Sequence, residues 1–138
     1  MENKEKFYLE RSSYFRIKAV LGKLVLKNKE NRPDIQMFLS RLNNVEIVED
    51  GKLPKDIIAI NSYVRYKYLD KTHTYEAVLV FPADVAADQK NISIFSPLGL
   101  SMIGKKANST SEYLAPGGIY RIRIDEVIHQ KQHIHIYE

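Results

Sequence analysis

Apolar residues recur with helical spacing over the first third of the chain. One stripe predicts an amphipathic helix over residues 7–26 and is formed by Phe7, Tyr14, Ile17, Leu21 and Leu24. Because residues 14–26 are rich in β-branched and aromatic side chains, a strand stays open as the alternative there. Pro33 begins a second predicted helix that ends at Asn43 or Asn44, since Pro is favoured at the first helical position. Its apolar stripe consists of Ile35, Phe38, Leu39 and Leu42.

A polar turn over residues 27–32 separates the two predicted helices, so we expect a short antiparallel helical hairpin. Its arms are short, because even a helix of about 20 residues rises only ~30 Å. Residues 49–52 (Glu-Asp-Gly-Lys) break the helical pattern. We therefore predict an N-terminal, short coiled-coil-like helical domain of residues 1–48 and a second domain of residues 49–138.

The second domain changes to the period-two pattern of β-strands. Predicted strands cover residues 57–60, 63–69, 74–81, 92–95, 112–114 and 120–136. In the last strand the isoleucines of one parity are expected to face the core: Ile122, Ile124, Ile128, Ile134 and Ile136. The prediction is an α+β fold, in which a twisted, mostly antiparallel sheet wraps on one short helix.

That short helix and the turns beside it contain the most specific local signals. Ser96 followed by Pro97 is typical of an N-cap with proline at the first helical position, and Gly104 lies where the helix should end. Pro116-Gly117-Gly118 supplies the positive φ angles of a tight hairpin connection. The pattern predicts a strand–helix–hairpin unit with a protruding Ser-Pro corner, which favours docking over catalysis.

Composition and charge narrow the function classes. The 138 residues have a formal net charge of +4, and residues 1–29 hold eight Lys or Arg against three Glu. The remaining residues carry a net charge of −1, which argues against a body that binds nucleic acid directly. The chain has no cysteine, no secretory signal and no apolar run long enough for a membrane span, so we expect a cytoplasmic protein.

Candidate chemical sites are weak. His129, His133 and His135 share one strand parity, as zinc ligands could, but a solvated strand end is favoured because no carboxylate accompanies them. The acidic pairs Glu49 with Asp50 and Asp84 with Asp88 are interpreted as solvated turns. We expect neither a metal nor a cofactor.

Four segments together resemble one family: LPKDIIAINSYVRY, YEAVLVFPADV, NISIFSPLGLSMIGK and APGGIYRIRIDEVIHQ. They are similar in order and spacing to the C-terminal domain of the bacterial GreA/GreB transcription elongation factors. The match is closest to the Rnk type, the regulators of nucleoside diphosphate kinase. The resemblance implies a fold like that of FK506-binding proteins and docking on the rim of the RNA polymerase secondary channel. Nucleic acid would be near only through the polymerase.

The resemblance also implies which residues contact the partner. The docking corner would be Ser96, Pro97 and Leu98, with the end of the short helix formed by Ile103, Gly104 and Lys105. The cleavage factors of the family carry an acidic pair at the hairpin tip to help hold a catalytic Mg²⁺. The tip here is formed by Lys27, Lys29, Glu30 and Arg32, with Glu30 as its one acid. It would repel the cation, so the resemblance implies a non-catalytic regulator that modulates elongation or competes with the cleavage factors.

Two other functions stay open. One is regulation of another protein, such as nucleoside diphosphate kinase. The other is prolyl isomerase activity, for which an aromatic pocket could draw on Tyr63, Tyr66, Tyr68, Tyr75 and Phe81. Strand alternation is expected to put many of these rings on opposite faces, which disfavours the enzyme.

Overall fold

The computed structural model describes residues 7–27, 32–82 and 90–130, without the side chain of Lys27. These residues form three helices and seven strands, in the order β1 (Tyr8–Glu10), α1 (Arg11–Lys27), α2 (Pro33–Leu42), β2 (Glu46–Val48), β3 (Tyr63–Tyr68), β4 (Thr74–Val80), β5 (Asn91–Ser93), α3 (Pro97–Met102), β6 (Thr110–Ala115) and β7 (Gly118–Ile128). No helix in this part of the chain is both long and apolar enough to cross a bilayer.

Five strands make one sheet in the order β5-β4-β3-β7-β6. Neighbours are antiparallel except β4 and β5, which pair in parallel. The turn between β6 and β7 is Pro116-Gly117, where Gly117 has φ +104° and Ala115 pairs with Gly118. The predicted α+β class, with a mostly antiparallel sheet and one short helix packed on it, is confirmed.

The helices and the sheet share one hydrophobic core. Ile17 and Leu21 of α1 and Phe38 of α2 are buried in the same cluster as Leu79 and Ile122 of the sheet. The helical stripes read from the sequence therefore pack on the sheet. The division at residue 48 stays a prediction, although residues on both sides of it share this core.

The prediction that Ile128 faces the core is wrong, because β7 contains a bulge. The register with β3 shifts so that Asp125 has no partner residue. Ile122 and Ile124 before the bulge are buried, whereas after it Val127 packs on the core and Ile128 is 46% exposed. A single extra residue exchanges the two faces of a strand. The predicted isoleucines at 134 and 136 lie outside the described residues.

The predicted strand over residues 57–60 is also wrong. Ile57 forms one isolated bridge with Lys106, and Asn61 with φ +73° turns the chain before β3 begins. The Ser62 hydroxyl accepts a hydrogen bond from the Ala59 N–H at 2.8 Å, so this segment is a capped turn, as its Asn-Ser pair indicates.

The first helix begins later than predicted, because residues 8–10 pair in parallel with β2. Its first turn is capped by the loop at Glu49 and Asp50. Asp50 Oδ1 accepts from the Ser12 N–H at 3.0 Å, and Arg11 pairs with Glu49 at 2.8 Å. These bonds lower the pKa of Asp50, chiefly through the Ser12 backbone, and the pKa of Glu49 through Arg11. The acidic pair is exposed, as expected, and it also stabilises the start of α1.

Candidate partner-binding site

The corner between β5 and α3 is rigid because Ser96 uses its hydroxyl twice. Ser96 Oγ accepts from the Gly99 N–H at 3.1 Å and donates to the Ser93 carbonyl at 2.8 Å. Pro97 follows at the first helical position, which confirms the N-cap prediction. The direction of the chain at this corner is therefore fixed by local bonds.

Gly99 lets α3 lie directly on the backbone of β5. A Cβ at this position would be 2.2 Å from the Ser93 carbonyl oxygen and 2.8 Å from the Cα of Ile94. Real Cβ atoms do not approach backbone so closely, so only glycine fits without a shift of the helix.

The predicted contact residues fall into two groups. Ser96, Pro97 and Leu98 are half-buried, and Leu98 packs partly against the core. The corner therefore protrudes less than predicted, because the capping bonds and the Leu98 side chain hold it against the body. The second group (Ile103, Gly104, Lys105) is buried, with Ile103 1% and Lys105 8% exposed.

Gly104 has φ +81°, and a Cβ there would lie 2.2 Å from the Phe7 ring. A positive φ favours glycine, and the ring of Phe7 fills the space where a side chain would be. Ile103 and Gly104 thus fix the end of α3 from inside the protein. Among the six predicted contact residues, Ser96, Pro97 and Leu98 therefore keep the most surface.

Beside the corner lies a cleft of about 260 Å³ between α2, α3 and β6. One side of the cleft is lined by Pro97 and Leu100 of α3, and a second side by Met37 and Arg41 of α2. Tyr113 of β6 lines the third side. Lys105, Asp34 and Glu112 add charged groups to the lining. The cleft joins α2 to α3, β6 and the single residues Leu69 and Arg121, so no local pattern in the chain indicates it.

Arg41 stabilises the C-terminal end of α3. It donates to the Leu100 carbonyl at 3.0 Å and to the Ile103 carbonyl at 3.4 Å, both of which lie where a helix has no internal partners. Its guanidinium also lies 4.3 Å from the centroid of the Phe7 ring. Burial lowers the pKa of Arg41 to about 10, so the side chain stays charged at neutral pH.

The sequence places Arg32 in the hairpin tip, but its side chain is bonded to the body of the protein. It donates through two nitrogens to the Asp34 carboxylate and to the Phe95 carbonyl at 3.0 Å, next to the corner. The reason is that Asp34, in the first turn of α2, offers a bidentate partner. Of the other predicted tip residues, Lys29 and Glu30 lie outside the described residues, and Lys27 is the last residue of α1.

Five tyrosine rings contact one another on the sheet face that carries Ile122: Tyr66, Tyr68, Tyr75, Tyr113 and Tyr120. Three of the rings considered for an aromatic pocket therefore share one face, because Tyr66 pairs directly with Tyr75 across β3 and β4 and Tyr68 contacts both. The Tyr68 and Tyr113 hydroxyls are 2.6 Å apart. Burial is the largest cause of the raised pKa of Tyr66, about 12, and it also raises the pKa of Tyr113.

Of the three histidines considered as zinc ligands, only His129 lies in the described part of the chain. Its Nε2 is 2.6 Å from the Ile57 carbonyl oxygen. Within residues 7–27, 32–82 and 90–130, no three His, Cys, Asp or Glu side chains are arranged to hold a metal ion.

Comparison with known proteins gives one consistent result. Residues 53–129 match the family model described as the C-terminal part of the transcription elongation factors GreA and GreB. GreA of Thermotoga neapolitana is 30% identical over 135 residues, which cover 91% of this chain and 86% of that protein. GreA of Clostridium botulinum strain Hall is 34% identical over 86 residues, covering 62% of this chain, and the match spans about half (54%) of that relative.

A solved structure agrees with the sequence relatives. The transcription elongation factor GreA/GreB from Nitrosomonas europaea superposes with a TM-score of 0.72 at 26% identity, covering 90% of this chain and all of that one. The superposition covers more of the chain than the four segments that carry the resemblance in the sequence.

Proposed function

Since the chain belongs to the GreA/GreB family of transcription elongation factors, we propose that it is a non-catalytic regulator that binds bacterial RNA polymerase. It docks at the rim of the secondary channel through the corner formed by Ser96, Pro97 and Leu98. There it modulates elongation or competes with the cleavage factors of the family. The likeness to the Rnk type stays a prediction.

The rigid corner is the observation that carries this proposal. Both hydrogen-bonding functions of the Ser96 hydroxyl are used within the corner, and Pro97 has a fixed φ. Because the backbone of the corner is already fixed, binding of a partner to this surface costs little conformational entropy. Pro97 and Leu98 are half-buried, which leaves apolar surface at the corner for such a contact.

The charge of the hairpin tip supports a role without transcript cleavage. Residues 27–32 contain one acid, Glu30, against three basic residues, of which Arg32 is paired with Asp34 and Lys27 and Lys29 remain to oppose a cation. A Mg²⁺ ion needs oxygen ligands and usually at least one carboxylate, and surrounding cations oppose its binding. The basic tip is therefore suited to another contact within the channel.

The test is binding to purified bacterial RNA polymerase core enzyme, measured by fluorescence anisotropy of labelled protein. The double variant Pro97→Ala/Leu98→Ala is compared with Pro54→Ala, which removes an exposed proline that belongs neither to the corner nor to the lining of the cleft beside it. We expect wild type and Pro54→Ala to bind equally and the double variant to bind about tenfold or more weakly, as for central apolar contacts. Thermal melting of each variant shows that the fold is kept.

Two results would contradict the proposal. One is a wild-type protein that does not bind the polymerase, and the other is a folded double variant with unchanged affinity. A cleavage assay on stalled elongation complexes tests the non-catalytic part. Addition of the protein should leave the rate of transcript shortening at its intrinsic value, and a stimulated rate would show that a carboxylate pair is not required.

A further inference from the structure

The cleft beside the corner has an apolar rim that faces solvent. Met37 of α2 is 43% exposed and Leu69 beyond β3 is 53% exposed, and both line the cleft together with Pro97. Large apolar side chains scattered on a surface need no explanation, but here they surround a single concave site. Pro97 belongs at once to this rim and to the docking corner.

The walls of the cleft are basic. Its acids are already bonded to other cations, since Asp34 accepts from Arg32 and Glu112 accepts from Arg121 at 3.3 Å. Arg41, by contrast, gives its hydrogen bonds to two carbonyl oxygens, which carry no formal charge.

Lys105 brings a second cation into the lining while only 8% exposed. Burial lowers the pKa of Arg41, which reflects the cost of holding positive charge away from water. An anionic group within the cleft would offset part of that cost.

From this arrangement we infer that the cleft receives a carboxylate side chain, Asp or Glu, carried on an apolar segment of the polymerase. This inference rests on the proposed function and specifies the partner's chemistry at the same surface. The carboxylate would lie near Arg41 and Lys105, while apolar neighbours on the segment would cover Met37, Leu69 and Pro97. Charge complementarity inside an apolar rim selects one register of the partner.

A small free anion or a nucleic-acid phosphate fits this site less well. Neither covers the exposed apolar rim, and a nucleic-acid backbone would bring further phosphates towards Asp34 and Glu112. A protein segment uses both features of the cleft, the cations of the wall and the apolar side chains of the rim.

The first test introduces a competing charge at the mouth of the cleft. Met37→Glu places a carboxylate on the rim, and Ile128→Glu is the matched control, because Ile128 is 46% exposed and is not among the residues that line the cleft. We expect Met37→Glu to weaken binding to the polymerase core enzyme about tenfold or more and Ile128→Glu to leave it unchanged. Since both side chains are exposed, neither variant should unfold the protein.

The second test replaces the buried cation itself. Lys105→Gln should weaken binding and reduce its salt dependence, whereas Lys105→Arg, which keeps the charge, should retain the salt dependence. Free acetate or phosphate at millimolar concentration should not displace the protein from the polymerase.

The outcomes separate the two proposals. If wild type binds and Pro97→Ala/Leu98→Ala weakens binding, but Met37→Glu binds like wild type, the cleft has no role and the inference alone is wrong. Displacement by a small anion, or rim variants that change self-association instead of polymerase binding, would also overturn it. A wild-type protein that does not bind the polymerase overturns both proposals.

Discussion

Gly99→Ala tests whether the contact between α3 and β5 sets the corner. The new Cβ would lie 2.2 Å from the Ser93 carbonyl oxygen and 2.8 Å from the Cα of Ile94, whereas ordinary contacts begin near 3.4 Å. The helix must therefore move by roughly 1 Å away from the strand. Such a shift weakens the Ser96 cap and the packing of Leu100. Overpacking costs about 1–3 kcal/mol when side chains can yield, and here the obstacle is backbone, so we expect a loss of about 3 kcal/mol or more.

The measurement is urea unfolding followed by circular dichroism, with a thermal melt as a check. For a chain of this size, a loss of 3 kcal/mol lowers Tm by about 10 °C. Gly22→Ala is the matched control, because Gly22 lies in α1 with nothing within 4 Å of the new Cβ. Alanine favours helix over glycine, so this control should gain about 0.5–1 kcal/mol. If Gly99→Ala loses less than about 1 kcal/mol, the helix and strand are not in this contact and the account of the rigid corner fails.

Three further predictions use the same unfolding measurement. Ile122→Ala should lose about 2–4 kcal/mol and Ile128→Ala less than about 1 kcal/mol, and equal losses would contradict the bulge that separates their faces. Arg41→Leu should lose about 2–4 kcal/mol, because two carbonyl oxygens at the end of α3 are left without their charged donor, and an unchanged stability would exclude that cap. Because the pKa values of Glu49 and Asp50 are lowered in the folded state, their contribution is present above the unfolded pKa of about 4 and is lost as pH falls through the folded values. The double variant Glu49→Gln/Asp50→Asn should thus be less stable than wild type at pH 6, with a difference that shrinks towards pH 2, and a constant difference would contradict the linkage.

Local signals were sufficient for the presence of the helices and for the cap at Ser96, but not for the start of α1 or the exposure of the corner. The start of α3 is set by Ser96 and Pro97, and the capping bond reaches only to Gly99, three residues on. The apolar stripe through Ile35 and Phe38 can be predicted from the helical period alone. These features could be predicted because their bonds join residues near one another in sequence. The same holds for the Pro116-Gly117 turn, whose geometry its own residues determine.

Features that depend on distant pairing could not be predicted from single segments. The bulge at Asp125 appears only in the register between β3 and β7, and β1 pairs with β2 across the whole helical segment. The tyrosine cluster needed the pairing of Tyr66 with Tyr75, although two tyrosines at i and i+2 already indicate one shared face. The sequence pattern of a strand predicts which side chains share a face, but it does not predict which strand pairs with it.

The candidate site combines both kinds of information, because α2 holds α3 at both ends. Arg32 donates to the Phe95 carbonyl before the corner, and Arg41 donates to the Leu100 carbonyl near the end of the helix. These two arginines come from the segment that the sequence assigned to a separate helical domain. Ser96 therefore fixes the local direction of the chain at the corner, and the two arginines fix the position of α3. Residues before 49 thus contribute to a surface that the sequence analysis assigned wholly to residues 49–138. Arg41 is one of the cations that line the cleft, and it also caps the C-terminal end of α3. A change at Arg41 should therefore alter both the charge of the cleft and the stability of α3.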